Sequence, residues 1–144
     1  MLSRDDKDWM INYYGPSLRP FSWDWLFTLT VSGCRSAKVA NRRFDRWITE
    51  MEQEVGGPKF RWLRVLKVAA DQDEVHFHVL IGGIRKQHVH RPGRWKTKWQ
   101  DIAGFAVVES CDPKMGGFYY LLKSVGRKLD FDDIDLRLPD DDNK

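Results

Sequence analysis

His76 and His78 flank Phe77 inside the apolar run Val75-His-Phe-His-Val-Leu-Ile-Gly-Gly83. A β-strand repeats every two residues, so His76, His78 and Leu80 share one face while Val75, Phe77, Val79 and Ile81 share the other. The second set is strongly apolar and should pack on helices, which leaves the histidine face to carry a site. Two neutral imidazoles presented by one rigid strand face suit a divalent metal ion, because the strand sets the spacing of both donors.

A second group of reactive side chains lies in Gly116-Gly-Phe-Tyr-Tyr-Leu-Leu-Lys-Ser124. On a helix Tyr120 and Lys123 stand three residues apart and Tyr119 and Lys123 four apart, so either phenol can share a face with the ammonium. A phenol beside a lysine and near a metal can attack a phosphodiester. Neighbouring helical residues diverge by about 100°, so only one of the two tyrosines can face one metal.

The rest of the chain must hold these groups in place. Residues 1–24 read as an irregular lead-in broken by Gly15-Pro16 and Pro20. Trp25-Leu-Phe-Thr-Leu-Thr-Val31 alternates as a first strand, with Thr28 and Thr30 on its polar face. Ser36 can cap a helix reaching Val55, stopped by Gly56-Gly-Pro58. Phe60–Ala70 is a second strand, and the polar link Asp71–Glu74 returns the chain into the histidine strand as a hairpin. A short helix over 94–102, a strand over 105–111 and a helix over 118–128 follow. This order predicts an α+β domain over 25–129, with a split βαβ, ferredoxin-like antiparallel sheet and the histidine strand between the first two strands. Residues 130–144 read as an acidic tail, disordered at its end.

Composition narrows the function classes. A chain of 144 residues with 42% hydrophobic content can bury one core. No apolar stretch reaches the length of a membrane span and no signal pattern opens the chain, so a cytoplasmic location without membrane contact is expected. Cys34 and Cys111 match neither a zinc spacing nor a disulfide framework. Charge is uneven: residues 35–98 carry 15 Lys and Arg against 7 Asp and Glu, a net +8, whereas 130–144 carry 2 against 7, a net −5. The basic stretch also holds Trp47, Trp62, Trp95 and Trp99, so positive charge and stacking surface occur together, as a nucleic-acid site requires. For Trp47 and Trp62, which lie in periodic apolar segments, a place in the core is the stronger expectation.

Taken in order, Phe27-Thr-Leu-Thr30, His76-Phe-His78 and Tyr120-Leu-Leu-Lys123 resemble the three motifs of the HUH endonucleases, which include rolling-circle replication initiators, relaxases and single-strand transposases. The resemblance covers about residues 25–128. It implies an Mg²⁺- or Mn²⁺-dependent nickase and strand transferase acting on single-stranded DNA at an origin or hairpin, such as starts rolling-circle replication of a plasmid or phage. His76 and His78 would hold the metal and Tyr120 would form a 5′-phosphotyrosyl link. Lys123 would assist, and Tyr119 is the alternative nucleophile. Thr28, Thr30, Arg85, Lys86, Arg94, Lys96 and Lys98 are the expected nucleic-acid contacts. The chain has no Gly-x-x-x-x-Gly-Lys-Ser/Thr loop, so unwinding would fall to a host helicase.

The family's third metal ligand, often a Glu upstream of the histidines, corresponds here to Lys67. A hairpin in which Asp71 faces Glu74 sets Lys67 opposite His78. Glu74 is the first substitute donor, with Asp73 and Glu109 behind it. His88-Val-His90 repeats the spacing but sits among Lys, Gln, Arg and Pro, as in an exposed loop. A noncatalytic single-strand-binding module on the same fold is the competing reading, and Lys67 is its main support. An RNA-binding sheet of the same topology would need aromatics where this chain has His and Thr.

Overall fold

The computed structural model describes residues 23–34, 36–55, 60–69, 74–84, 91–112, 114–115, 119–120, 123 and 132–138. Seven elements follow one another: β1 (Trp25–Val31), α1 (Ala37–Val55), β2 (Arg61–Ala69), β3 (Glu74–Gly82), α2 (Pro92–Ile102), β4 (Ala106–Ser110) and β5 (Asp133–Arg137). The strands form one antiparallel sheet in the order β4-β1-β3-β2-β5. β1 and β2 therefore run the same way with β3 between them, joined by α1. This is the α+β split arrangement the sequence order predicts, with the histidine strand at its centre.

Alternation decides which face is covered. Trp25, Phe27, Leu29 and Val31 of β1 and Val75, Phe77, Val79 and Ile81 of β3 are all buried in one cluster with Phe44, Trp47, Ile48, Met51 and Val55 of α1 and Trp95 and Trp99 of α2. Ser36 receives the Val39 N–H on its hydroxyl at 3.3 Å and so caps α1, as its position before the apolar repeat predicts. Trp47 is the hub: its ring meets Phe27, Trp95 and Trp99 edge-on at 5.3, 5.5 and 5.6 Å. Such pairs each add roughly 0.5–1.5 kcal/mol beyond area burial. Two buried indole N–H groups find carbonyl acceptors, Trp47 donating to the Trp95 carbonyl at 2.9 Å and Trp99 to the Thr30 carbonyl at 3.1 Å, whereas the indole N–H groups of Trp23 and Trp62 are buried without one among the described residues. Gly104, just past α2, lies so close to β1 that a Cβ there would collide with the backbone carbonyl of Thr30 and with Ser32.

Several expectations are corrected. Trp95 and Trp99 are buried, as are Trp47 and Trp62, so none of the four is a stacking surface. The expected disordered end of the acidic tail lies outside the described residues, and the tail, read as lacking a sustained apolar face, contains a strand, β5. Its two apolar residues, Ile134 and Leu136, alternate with aspartates, too short a pattern to stand out from the surrounding negative charge. Ion pairs and hydrogen bonds absorb that charge: Asp135 with Arg64 at 3.6 Å, Arg137 with Glu52, and the Asp132 carboxylate accepting the Val68 N–H at 2.6 Å. The hairpin register also differs: Ala69 faces Glu74, Lys67 faces His76 and Val65 faces His78. The link between the strands is therefore residues 70–73. The shift is of two residues, so every side chain keeps its face while Lys67 moves one row. The lead-in up to residue 22, Asp73, Arg85, Lys86, His88 and His90 lie outside the described residues, as does most of the helix expected over 118–128. Tyr119, Tyr120 and Lys123 of that segment are helical.

Candidate functional site

The face of the sheet away from α1 and α2 is built in rows set by the strand register. One row runs Val107, Thr28, His78, Val65, Ile134 and the next runs Thr30, His76, Lys67. A third row, Leu26, Leu80, Leu63 and Leu136, is apolar, and the first three of these are buried. The histidine face thus has a closed apolar side and a partly open polar side. Thr28, Thr30, His76, His78, Lys67 and Glu74 all belong to the polar side.

Each imidazole is backed by a hydroxyl on the neighbouring strand. Thr28 Oγ1 lies 3.4 Å from His78 Nδ1, and Thr30 Oγ1 lies 3.3 Å from His76 Nδ1. A hydroxyl that accepts from Nδ1–H fixes the tautomer whose Nε2 carries a free lone pair, the form a metal takes. These two threonines were expected to contact nucleic acid. Their geometry gives them a more definite task, orienting the rings.

Burial, then the nearby charges of His76 and Lys67, pushes the His78 pKa below its ordinary value of 6.5. The neutral ring is therefore favoured by folding. Because the unfolded imidazole takes up its proton at higher pH than the folded one, this stabilising contribution is complete above about pH 6.5 and is lost as pH falls below it. An NMR titration of the metal-free protein should place the His78 midpoint below 6.5. A midpoint at or above that value would mean that the ring is not desolvated.

His76 Nε2 lies 4.0 Å from the Glu74 carboxylate, and Glu74, His76 and His78 alternate on one face of β3. Among the described residues no three His, Cys, Asp or Glu side chains are already gathered as a metal cluster. The residues fit a cation held by two imidazoles, with Glu74 the nearest carboxylate and the remaining positions open to water and phosphate. Lys67, across from His76, opposes it.

The tyrosine–lysine segment is tied to the same face. Lys123 Nζ lies 3.1 Å from the Glu109 carboxylate, and Glu109 sits on β4 opposite Leu26, in the apolar row that borders the histidines. Glu109 is thus two strands from β3, roughly 10 Å at normal strand spacing. Its hydrogen bond, and to a lesser degree its charge, holds the Lys123 ammonium above the ordinary lysine range. Glu109 therefore anchors the lysine. Nothing in the sequence marked this pairing, since the residues lie on separate elements.

The two tyrosines differ sharply. Tyr120 is buried, and its hydroxyl oxygen accepts the Asp112 N–H at 2.5 Å, whereas Tyr119 is 44% exposed with its ring edge-on to Tyr120 at 5.0 Å. The Cys111 thiol beside them is pushed up to about 12 by burial and then by the negative charge of Glu109 and Asp24, so it stays protonated and unreactive.

The expected basic contacts are not all brought to this site. Arg94, Lys96 and Lys98 lie on α2, which covers the opposite face, and Arg94 is paired with Glu54. Arg64 is equally structural: its guanidinium lies 4.5 Å from the centre of the Phe44 ring, between Asp45 and Asp135. No helix among the described residues is long and apolar enough to cross a membrane. Comparison with protein-family models, with curated proteins and with solved structures finds no match to this chain.

Proposed function

We propose that this chain is a metal-dependent single-stranded DNA nickase and strand transferase of the HUH type. The observation that carries the reading is a pair of imidazoles on the partly open side of one sheet face, each backed by a threonine, with Lys123 anchored by Glu109 on that same face. A divalent cation bound by His76 and His78 would polarise the scissile phosphate. The Tyr120 oxygen attacks phosphorus as its proton leaves, the bond from phosphorus to the 3′ oxygen breaks, and that oxygen gains a proton to become a free 3′-OH. Rejoining reverses both changes. The N–H of Asp112 donates to the phenol oxygen and fixes its position. Lys67 contributes positive charge toward the DNA backbone.

A second reading, a noncatalytic single-strand-binding module, draws support from Lys67 standing opposite His76. One pair of measurements separates the two. Protein incubated with labelled single-stranded oligonucleotide pools and Mn²⁺ should give a denaturant-resistant adduct, and His76→Ala with His78→Ala should abolish both the adduct and calorimetric Mn²⁺ binding. In the same titration Lys67→Glu should bind Mn²⁺ more tightly, because it replaces a repelling cation beside the imidazoles with an oxygen donor. Wild-type protein that binds the oligonucleotide but neither Mn²⁺ nor forms adduct is the module.

A further inference from the structure

Phe105 and Val107 are large apolar residues left uncovered at β4: they are 70% and 64% exposed, while the neighbouring Ala106 is buried. The Thr30 N–H donates to the Phe105 carbonyl at 2.8 Å, which continues the β1–β4 ladder and sets Phe105 beside Thr30 in the row that runs on to His76 and Lys67. Val107 flanks Thr28 in the row of His78. An aromatic ring and an aliphatic side chain therefore stand next to each other at the open β4 edge, on the histidine face.

We propose that Phe105 and Val107 form a shelf on which an unpaired base of a single-stranded nucleic acid stacks, next to the phosphate held at the histidines. This rests on the reading of the histidine face as a nucleic-acid site and adds where the strand enters it. Three observations favour a base as the occupant. The shelf is continuous with the polar rows, a base has an apolar face that matches an exposed ring, and the Phe105 row ends on the cation of Lys67, which suits the phosphodiester that follows. The backbone beneath is rigid, because the Thr30 carbonyl also accepts from Trp99 and Gly104 packs directly on it. Stacking on a fixed ring is insensitive to base identity, so the shelf would position a strand without choosing its sequence.

The test uses fluorescence anisotropy of fluorescein-labelled single-stranded oligonucleotides, with abasic substitutions scanned along the tightest binder. Phe105→Ala should weaken binding about tenfold, the scale of one base–aromatic stack, and Phe105→Trp should restore it. One abasic position should weaken the wild-type complex and have no further effect on Phe105→Ala. Equal binding by wild type and Phe105→Ala would overturn the shelf and leave the nickase reading standing. Failure of the wild type to bind any oligonucleotide would overturn both. Sedimentation without DNA covers the other occupant: a wild-type dimer that Phe105→Ala dissociates would assign the β4 edge to a second copy of the chain and overturn the proposal.

Discussion

Tyr120→Phe should abolish the covalent DNA adduct and nicking, while oligonucleotide binding stays within a few-fold of wild type. Loss of one oxygen removes the nucleophile and leaves the buried ring in place. The cost to stability should be about 1 kcal/mol, because the Asp112 N–H loses its acceptor. Tyr119→Phe should leave the adduct and the stability unchanged, since that ring is 44% exposed. Denaturing gels with labelled oligonucleotide and a denaturant melt read both effects. The reverse result, adduct lost with Tyr119→Phe and kept with Tyr120→Phe, would make the exposed phenol the nucleophile and Tyr120 an anchor that ties the helix to the end of β4. The two tyrosines share one motif but not one environment, so the experiment separates the spacing argument from burial.

What could be read from the sequence followed from periodicity. Strict alternation in β1 and β3 determined which residues face the helices and which face the site, and so put Thr28 and Thr30 on the surface of the two histidines; the pairing of Thr28 with His78 and Thr30 with His76 is a matter of register, which alternation leaves open. The order β1-β3-β2 was legible because a polar link after β2 favours a hairpin and a helix after β1 forces a crossover, while the places of β4 and β5 at the two edges were not. What depended on loop length was not legible. Asp71 and Glu74 carry no signal for a two-residue turn, and a longer link moved Lys67 from His78 to His76 without disturbing the alternation.

Long-range side-chain pairing was equally hidden. Positive charge in residues 35–98 looked like a single surface, yet Arg64 and Arg94 are used in ion pairs that hold the fold. Of the tryptophans in that stretch Trp47 and Trp62 read as core from their periodicity, Trp95 and Trp99 read as partners for bases, and all four serve the core. Phe105, an aromatic exposed at the edge of the histidine face, comes from a segment that reads only as an ordinary strand. A short strand at a sheet edge exposes alternate residues, and which of them lack cover depends on elements distant in sequence.

Truncation after Leu129 should destabilise the domain strongly, by about 3 kcal/mol or more. An acidic tail that merely competed for a basic surface could be removed freely and would leave DNA binding stronger. β5 has another role. Ile134 is buried against Val65, which is itself buried opposite His78, so removing the strand uncovers the apolar end of the histidine row. Loss of a buried Ile side chain alone costs roughly 2–5 kcal/mol. Truncation also takes away Asp135, one of two carboxylates facing the largely buried Arg64, and Arg137, the partner of Glu52. A buried guanidinium with half its compensation gone raises the cost further. Ile134→Ala isolates the packing part and Asp135→Asn the electrostatic part; each should lower the denaturation midpoint by less than the truncation does. If the truncated chain melts with the full-length one, β5 contributes nothing to the fold, and the tail's charge is again the reason to expect tighter binding of single-stranded DNA. If it melts lower, any loss of activity in the truncated chain reports on the support behind His78 and not on a contact to DNA.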